Sequence, residues 1–375
     1  EAAREEIRGF AAIALERVNK TVKISRADAL DICRKSEAYV AVYAPDMLEE
    51  LRGISDSSGV AFEELMLLQI RNQLRPAADA GCTSFAVAPQ RNAEGHAIVG
   101  QNWDNDPALD PFSVILTRRP DDSPAFLSIT QAGLIAYLGV NDAGIGLCMN
   151  TLPAPARPFG VPHYFTVRAI YETRSLDEAV DAVGRAHRAI PANIILATPQ
   201  GPADLEITLD DIHVLRESDA GPCVVTHTNH CVHADLEPIN DDFPELIQSG
   251  PRKRRIDELL AATPRPIART ALENILRDHQ DHPHSICRHV NDAPDTGFWT
   301  SVWSLLIDEY CGYWDPPQPE KGRPGSAVGY KQKGRFGERY RNDLQGMIGE
   351  SPFHQFVRGL ICQSSSSGNR LLLLL

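Results

Sequence analysis

Apolar positions in the first eighty residues recur at helical spacing. Ile7, Phe10, Ala11, Ala14, Leu15 and Val18 share one face, and Phe62, Leu65, Met66 and Ile70 share another. Between them residues 27–43 can form a further helix, and Pro45 with Asp46 opens a shorter one that Gly53 is expected to end. The spacing predicts an all-helical segment of three or four elements.

From Cys82 onward the period shortens to that of strands. Ser84 to Ala88 and Ala97 to Asn102, joined by the polar Arg91-Asn92-Ala93-Glu94-Gly95 turn, predict a hairpin, and Phe112 to Thr117, Ala125 to Thr130 and Ile135 to Val140 are expected to continue it as an antiparallel meander. His163 to Thr173 and Leu176 to His187 return to helix, the second capped by Ser175. A second strand group follows at Asn193 to Thr198, Leu205 to Leu209, Ile212 to Leu215 and Val224 to His227, and then helices around Arg252 to Ala262 and Ala268 to Asp278. Strands, two helices, strands, two helices: that order fits an α+β chain with two stacked antiparallel sheets covered by helices on both outer faces. Past Trp314 the pattern fades into Pro317, Pro319, Gly322, Pro324 and Gly325, and little packed structure is expected after about residue 345.

Charge and length narrow the partners. The 375 residues carry a net charge of -13, and no basic stripe alternates with aromatics, so a nucleic-acid backbone is not an expected partner. No apolar run approaches the roughly 18 residues a bilayer span needs, so no membrane partner is expected either. The eight cysteines are scattered without framework spacing, which predicts free thiols and a reducing intracellular compartment.

One cysteine stands at a boundary. Cys82 follows Gly81 where helix gives way to strand, and a glycine before a nucleophilic side chain suits attack of that side chain on its own upstream carbonyl. Taken alone the dipeptide fits an ordinary buried thiol at least as well. Its surroundings add more: Gly81-Cys82-Thr83-Ser84-Phe85, then Gly100-Gln101-Asn102-Trp103-Asp104, then His227-Thr228-Asn229-His230, then Ser285-Ile286-Cys287-Arg288-His289. These four ordered segments resemble successive motifs of the acyl-coenzyme A:6-aminopenicillanic acid acyltransferase family of N-terminal-nucleophile cysteine hydrolases. Weaker echoes lie in Asn141-Asp142-Ala143-Gly144-Ile145-Gly146 and Leu205-Glu206, so the resemblance covers roughly residues 25 to 310.

The resemblance implies a four-layer αββα sandwich preceded by a helical segment, and self-cleavage between Gly81 and Cys82. Residues 1–81 would form a small subunit that stays associated as a partner, 82–315 the catalytic core and 316–375 a divergent, poorly ordered tail. It implies Cys82 as nucleophile, with its freed α-amine as general base at a reference pKa of about 7.7 to 8.0. Asn229 would offer its amide to the oxyanion, Asp104 would orient the amine, and Arg288 would offset that charge or bind a substrate carboxylate. The reaction expected is acyl transfer from a small amide or acyl-thioester substrate through a Cys82 thioester, completed by water or by an amine. No metal and no organic cofactor is expected for this chemistry, and acyl-coenzyme A enters only as a candidate substrate.

Other readings stay open at this point. A papain-like pair of Cys82 with a downstream histidine would need no cleavage, and an inactive scaffold would need no chemistry. His227, His230, Cys231 and His233, and again His279, His282, His284, Cys287 and His289, crowd two short segments as metal ligands would, though without paired Cys-x-x-Cys spacing or a His-Glu-x-x-His helix. Two departures from the family pattern are visible. The likeness is lost after Asp308, and Arg71-Asn72-Gln73-Leu74-Arg75 lacks an acidic residue expected near that point.

Overall fold

The computed structural model describes residues 2–20, 22–74, 81–243, 248–292, 297–308 and 371–374. Four helices come first: α1 (Arg4–Val18), α2 (Arg26–Tyr43), α3 (Pro45–Ser58) and α4 (Phe62–Ile70). Ser25 caps α2, its hydroxyl oxygen accepting the Asp28 N–H at 3.1 Å. Gly53 does not end α3, contrary to expectation. A side chain there would meet open space, so glycine costs the helix only about 1 kcal/mol. The stop is Gly59, whose φ of 72° supplies the left-handed turn that other residues adopt reluctantly.

Among the described residues twelve strands follow, interrupted by four helices. In chain order they are β1 (Cys82–Val87), β2 (Ile98–Asn105), β3 (Ser113–Arg118), β4 (Phe126–Gln131), β5 (Leu138–Asn141), β6 (Gly146–Asn150), α5 (His163–Ile170), α6 (Leu176–Gly184), β7 (Ala192–Ala197), β8 (Ala203–Ile207), β9 (Ile212–Leu215), β10 (Val224–His227), α7 (Ser249–Ala262), α8 (Arg269–Leu276), β11 (Thr300–Asp308) and β12 (Leu371–Leu374). One sheet has the order β10-β1-β2-β11-β12 and the other runs β3 to β9 in sequence. The expected hairpin is β1 with β2, registered from Cys82 opposite Trp103 to Val87 opposite Ile98. The expected continuation is corrected: after Asn105 a 3-10 turn, Pro107–Phe112, carries the chain to the other sheet, where β3 to β6 form their own meander. Apart from Leu371–Leu374, which lies parallel beside β11, the stretch 316–375 lies outside the described residues.

Alternation along β1 and β2 sets the layers. Phe85 and Val87 of β1, Ile98 of β2 and Leu306 of β11 pack against Ile256 and Leu260 of α7 and Leu272 and Ile275 of α8. Ala86, Val99 and Leu305 point the other way, into one core with Leu147, Ile194 and Leu205 of the second sheet. The far face of that sheet carries the α5–α6 pair: Phe126 stacks on Tyr171 at 5.0 Å, and Asn141 Nδ2 donates to the carbonyls of Tyr171 and Thr173 at 3.1 and 2.8 Å. Helix, sheet, sheet, helix is therefore the order of layers.

The four leading helices join this second core rather than forming one of their own. Phe10 stacks on Phe112 at 5.8 Å, Gln69 Nε2 donates to the Gly133 carbonyl at 2.8 Å, and Tyr43 Oη donates to the Ala182 carbonyl at 2.7 Å. Arg17 pairs with Asp106 at the crossover between the sheets. Beside β2, the strand β11 slips register between Ser301 and Trp303, setting Ser301 opposite Asp104 and Trp303 opposite Trp103. The extra residue lets the two indoles stack at 4.2 Å.

Candidate active site

Cys82 opens β1, which lies between β10 and β2 in the first sheet, with 3% of its surface exposed. The peptide bond before it is held from both sides. The Gly81 carbonyl accepts the main-chain N–H of Asp104 at 2.9 Å, and the Cys82 N–H donates to Asn229 Oδ1 at 2.8 Å. The absence of a side chain at Gly81 is required. A Cβ there would stand 2.6 Å from Asp104 Oδ2 and 2.7 Å from Arg288 Nη1. All four residues singled out from the sequence, Cys82, Asp104, Asn229 and Arg288, thus converge on the Gly81–Cys82 bond.

Each is placed by a different element. Asp104 comes from β2 by the hairpin pairing, and Asn229 from the turn after β10, where its N–H donates to Ser249 Oγ at 2.7 Å. Arg288 is fixed through its main chain, its N–H donating to Ser301 Oγ at 2.9 Å and its carbonyl accepting the Ser301 N–H at 3.1 Å. Ser301 Oγ in turn donates to Asp104 Oδ1 at 2.5 Å, so one hydroxyl joins β2, β11 and the Arg288 segment.

Asn229 presents its oxygen, not its nitrogen, to Cys82. In the uncleaved chain the Cys82 nitrogen is an amide and can only donate, which selects Oδ1. Nδ2 faces the other way and donates to the Thr151 carbonyl at 3.1 Å. Arg252 of α7 reinforces that choice, donating from Nη2 to Asn229 Oδ1 at 2.9 Å and from Nη1 to Thr83 Oγ1 at 3.0 Å and to the Cys82 carbonyl. Sequence reasoning missed Arg252. It sits in Arg252-Lys253-Arg254-Arg255, a run that reads as a solvated basic face, yet Arg252 is 4% exposed.

Electrostatically the thiol is at rest. Burial, and after it the Asp104 carboxylate, pushes the Cys82 thiol up to about 12, while a hydrogen bond from the Asp104 main chain, the Arg252 charge and a hydrogen bond from Gln101 pull it back. Gln101 was also missed. Its Nε2 donates to the Met149 carbonyl at 2.6 Å and to Asn150 Oδ1 at 3.2 Å, and its Oε1 accepts the Met149 N–H at 3.1 Å, fixing it across the gap between the sheets.

The histidines of the third motif serve other ends. His227 lies under the sheet with Nε2 on Glu206 Oε1 at 2.8 Å and Nδ1 on the Thr228 carbonyl at 3.0 Å. Burial opposes its charge, but Asp204 and Glu206 hold its pKa above the usual value. Glu206 also accepts the N–H groups of Val232 at 2.6 Å and His233 at 2.9 Å, bracing the turn that carries Asn229. His230 is bonded to Ser249 Oγ at 2.7 Å.

A buried cation lies farther along the same core. Arg71 is 2% exposed, donates to Gln131 Oε1 at 3.1 Å and Tyr164 Oη at 2.8 Å, and has no carboxylate partner among the described residues.

Comparison with known proteins agrees with these segments. The family model of the acyl-coenzyme A:6-aminopenicillanic acid acyl-transferases matches residues 91–306, which include Asp104, Asn229 and Arg288 and begin after Cys82. The 40 kDa form of acyl-coenzyme A:6-aminopenicillanic-acid-acyltransferase of Emericella nidulans is 26% identical over 313 residues, covering 82% of this chain and 84% of that protein. Among solved structures the chain is similar to a Caenorhabditis elegans N-acylethanolamine-hydrolyzing acid amidase ortholog, at a TM-score of 0.43 and 18% identity over 62% of this chain and 94% of the other. It is similar also to penicillin V acylase from Agrobacterium tumefaciens, at a TM-score of 0.42 and 12% identity over 61% and 80%. With more than half its length matched by the family model, this chain belongs to the acyl-coenzyme A:6-aminopenicillanic acid acyl-transferase family of enzymes.

Proposed function

We propose that the chain is a self-processing cysteine enzyme that cleaves itself between Gly81 and Cys82 and then transfers acyl groups from small amides or acyl thioesters through Cys82. The supporting observation is the grip on the Gly81–Cys82 bond, with its carbonyl on the Asp104 N–H and its N–H on Asn229 Oδ1. A buried peptide held at both polar ends, beside a thiol that belongs to it, is placed as a substrate would be.

Processing begins when Cys82 Sγ attacks the Gly81 carbonyl carbon. The thiol gives up its proton, the C–N bond breaks, and the nitrogen leaves as an amine carrying a proton. The Asp104 N–H already points at the oxygen where negative charge develops. Water then hydrolyses the Gly81 thioester, leaving a carboxylate on Gly81 and a free thiol and α-amine on Cys82. Burial keeps the thiol protonated at neutral pH, so its proton has to leave in concert with the attack.

In the processed enzyme the α-amine acts as the base that the uncleaved chain lacks. Asn229 Oδ1 accepts from it, and the Asp104 carboxylate orients it. Asn229 Nδ2, which donates to the Thr151 carbonyl in the uncleaved chain, serves the substrate oxyanion once it leaves that partner, while Arg252 holds Oδ1. Arg288 balances Asp104 or receives a carboxylate of the substrate. A papain-like pair is less well supported, because the groups acting on the Cys82 thiol are Asp104, Arg252 and Gln101 rather than an imidazole.

Intact-mass measurement of the wild type beside Cys82→Ala tests this reading. Two fragments with Cys82 at the new N-terminus, and a single uncut chain for the variant, are the expected result. An uncut wild type, or a variant that still splits, overturns it.

A further inference from the structure

Among the described residues, one of two groups of clustered metal-ligating atoms lies on the other side of Arg288, and of the two it is the one that includes a thiol. After α8 the chain makes a turn, closed by the Cys287 N–H donating to the Asp278 carbonyl at 2.9 Å. Closure sets His279, the next residue, beside Cys287 and His289. The ring nitrogens His279 Nε2 and His289 Nε2 are 2.7 Å apart, and the rings are stacked at 4.8 Å. Cys287 Sγ joins them so that all three ligand atoms lie within 4.8 Å of one another.

We infer that His279, Cys287 and His289 form a binding site for a divalent zinc-type cation. Two imidazoles and a thiolate are a donor set that zinc favours. In a tetrahedral site with Zn–N of about 2.0 to 2.1 Å and Zn–S of about 2.3 Å, ligand atoms stand roughly 3.3 to 3.6 Å apart. The two nitrogens need to part by under about 1 Å to admit the ion, and the sulfur needs to close by at most about 1.2 Å. The ring centre of His282 lies 6.2 Å from that of His289, outside the cluster of three, so solvent completes the tetrahedron. On binding, the Cys287 thiol loses its proton to solvent, the hydrogen bond between the two imidazoles is broken, and each ring gives a lone pair to the metal.

The site has a consequence for Arg288, which lies between two of the ligands. Its main chain is already tied to Ser301 on one side. A metal on Cys287 and His289 clamps the other side, so the ion sets where the guanidinium stands over the Gly81–Cys82 bond. The metal takes no part in acyl transfer. It is a pin, and its binding is separable from processing and turnover.

The test is equilibrium dialysis of the full-length chain, stripped by chelator, against ZnCl2, in a Cys82→Ala background that removes the nucleophile's thiol. One equivalent of zinc per chain is expected, and His279→Ala, at an exposed position that leaves the fold intact, weakens it by about tenfold or more. Cobalt(II) in place of zinc is expected to show a thiolate-to-metal charge-transfer band that Cys287→Ser abolishes. No bound zinc, affinity unchanged by His279→Ala as zinc on the His213, His233 and Asp235 group would give, or cobalt without the thiolate band each overturns the assignment. If the wild type proves not to self-cleave but zinc still binds, the function proposed above fails and the site stands.

Discussion

Ser301 donates its hydroxyl hydrogen to Asp104 Oδ1 at 2.5 Å while its oxygen accepts the Arg288 N–H at 2.9 Å. Two side chains of opposite charge, brought in from distant parts of the chain, are therefore placed by one neutral group. Ser301→Ala leaves a buried carboxylate oxygen and a buried N–H without that partner, a cost of about 1–3 kcal/mol. The expected outcome is slower appearance of the processed fragments on a mass-spectrometric time course, with Ser301→Thr retaining more of the rate than Ser301→Ala. Equal rates for wild type and Ser301→Ala would mean that Asp104 and Arg288 do not depend on the bridge.

Arg252 is expected to matter as much as residues in the family motifs. Arg252→Met removes the donors to Asn229 Oδ1 and to the Cys82 carbonyl but keeps a side chain of similar length. Arg252 acts through Asn229 rather than on the oxyanion itself, and misplacing the group that does carries part of the roughly 10²–10³ in rate that loss of such a donor costs. Turnover of an amide substrate by pre-processed enzyme should fall by a factor of that order with little change in KM. A change confined to KM would assign Arg252 to substrate binding instead.

Gly81→Ala probes the tight approach of Asp104 and Arg288. Since the added methyl would sit 2.6 Å from Asp104 Oδ2 and 2.7 Å from Arg288 Nη1, both must shift, and the scissile carbonyl moves off the Asp104 N–H. The fraction cleaved after purification should drop sharply while the melting temperature stays near that of Cys82→Ala. Full cleavage would show that the carbonyl grip is dispensable.

Acid should destabilise the fold partly through His163. Burial first, and then the Arg71 charge, lower its pKa to about 3, against 6.5 for the free side chain. Between those values the unfolded chain binds the proton and the folded chain does not, so stability falls as pH drops, by up to about 1.4 kcal/mol per pH unit for this one group. Denaturant unfolding from pH 7 to pH 4 should show a shallower loss for His163→Gln than for wild type. Parallel curves would remove His163 from the acid response.

The helical segment should remain bound after cleavage. Phe10, Leu51, Leu65 and Leu68 are fully buried in a core shared with the second sheet, and parting would expose them. Size-exclusion chromatography of the processed protein should give one peak containing both fragments, which separate only in denaturant.

What the sequence displayed, and what it hid, follows from distance along the chain. Cys82, Asp104, Asn229 and Arg288 could be picked out because each lies in a short local motif, and the hairpin that pairs Cys82 with Trp103 is local too. Arg252 and Ser301 could not, and Gln101, though inside the second motif, carried no sign of its role. Arg252 looks like any other member of a basic run until α7 is laid on the sheet, and Gln101 acts across the gap on β6. Strand β11 escaped notice because both its faces are covered, which erases the alternation that marks a half-buried strand. Membership of β3 in the second sheet was hidden for a related reason, since periodicity gives a strand its faces but not its neighbours.

A free end of a polypeptide is ordinarily its least steady part, fraying where the interior holds still. Cys82 is the first residue of β1, a strand with β10 on one flank and β2 on the other. Cutting before it would therefore create a terminus already laddered to β2 at Trp103 and held on its other flank by Asn229. The amine so released starts on a residue already fixed by its neighbours, and a reactive group that must be an end to work at all need not behave as one.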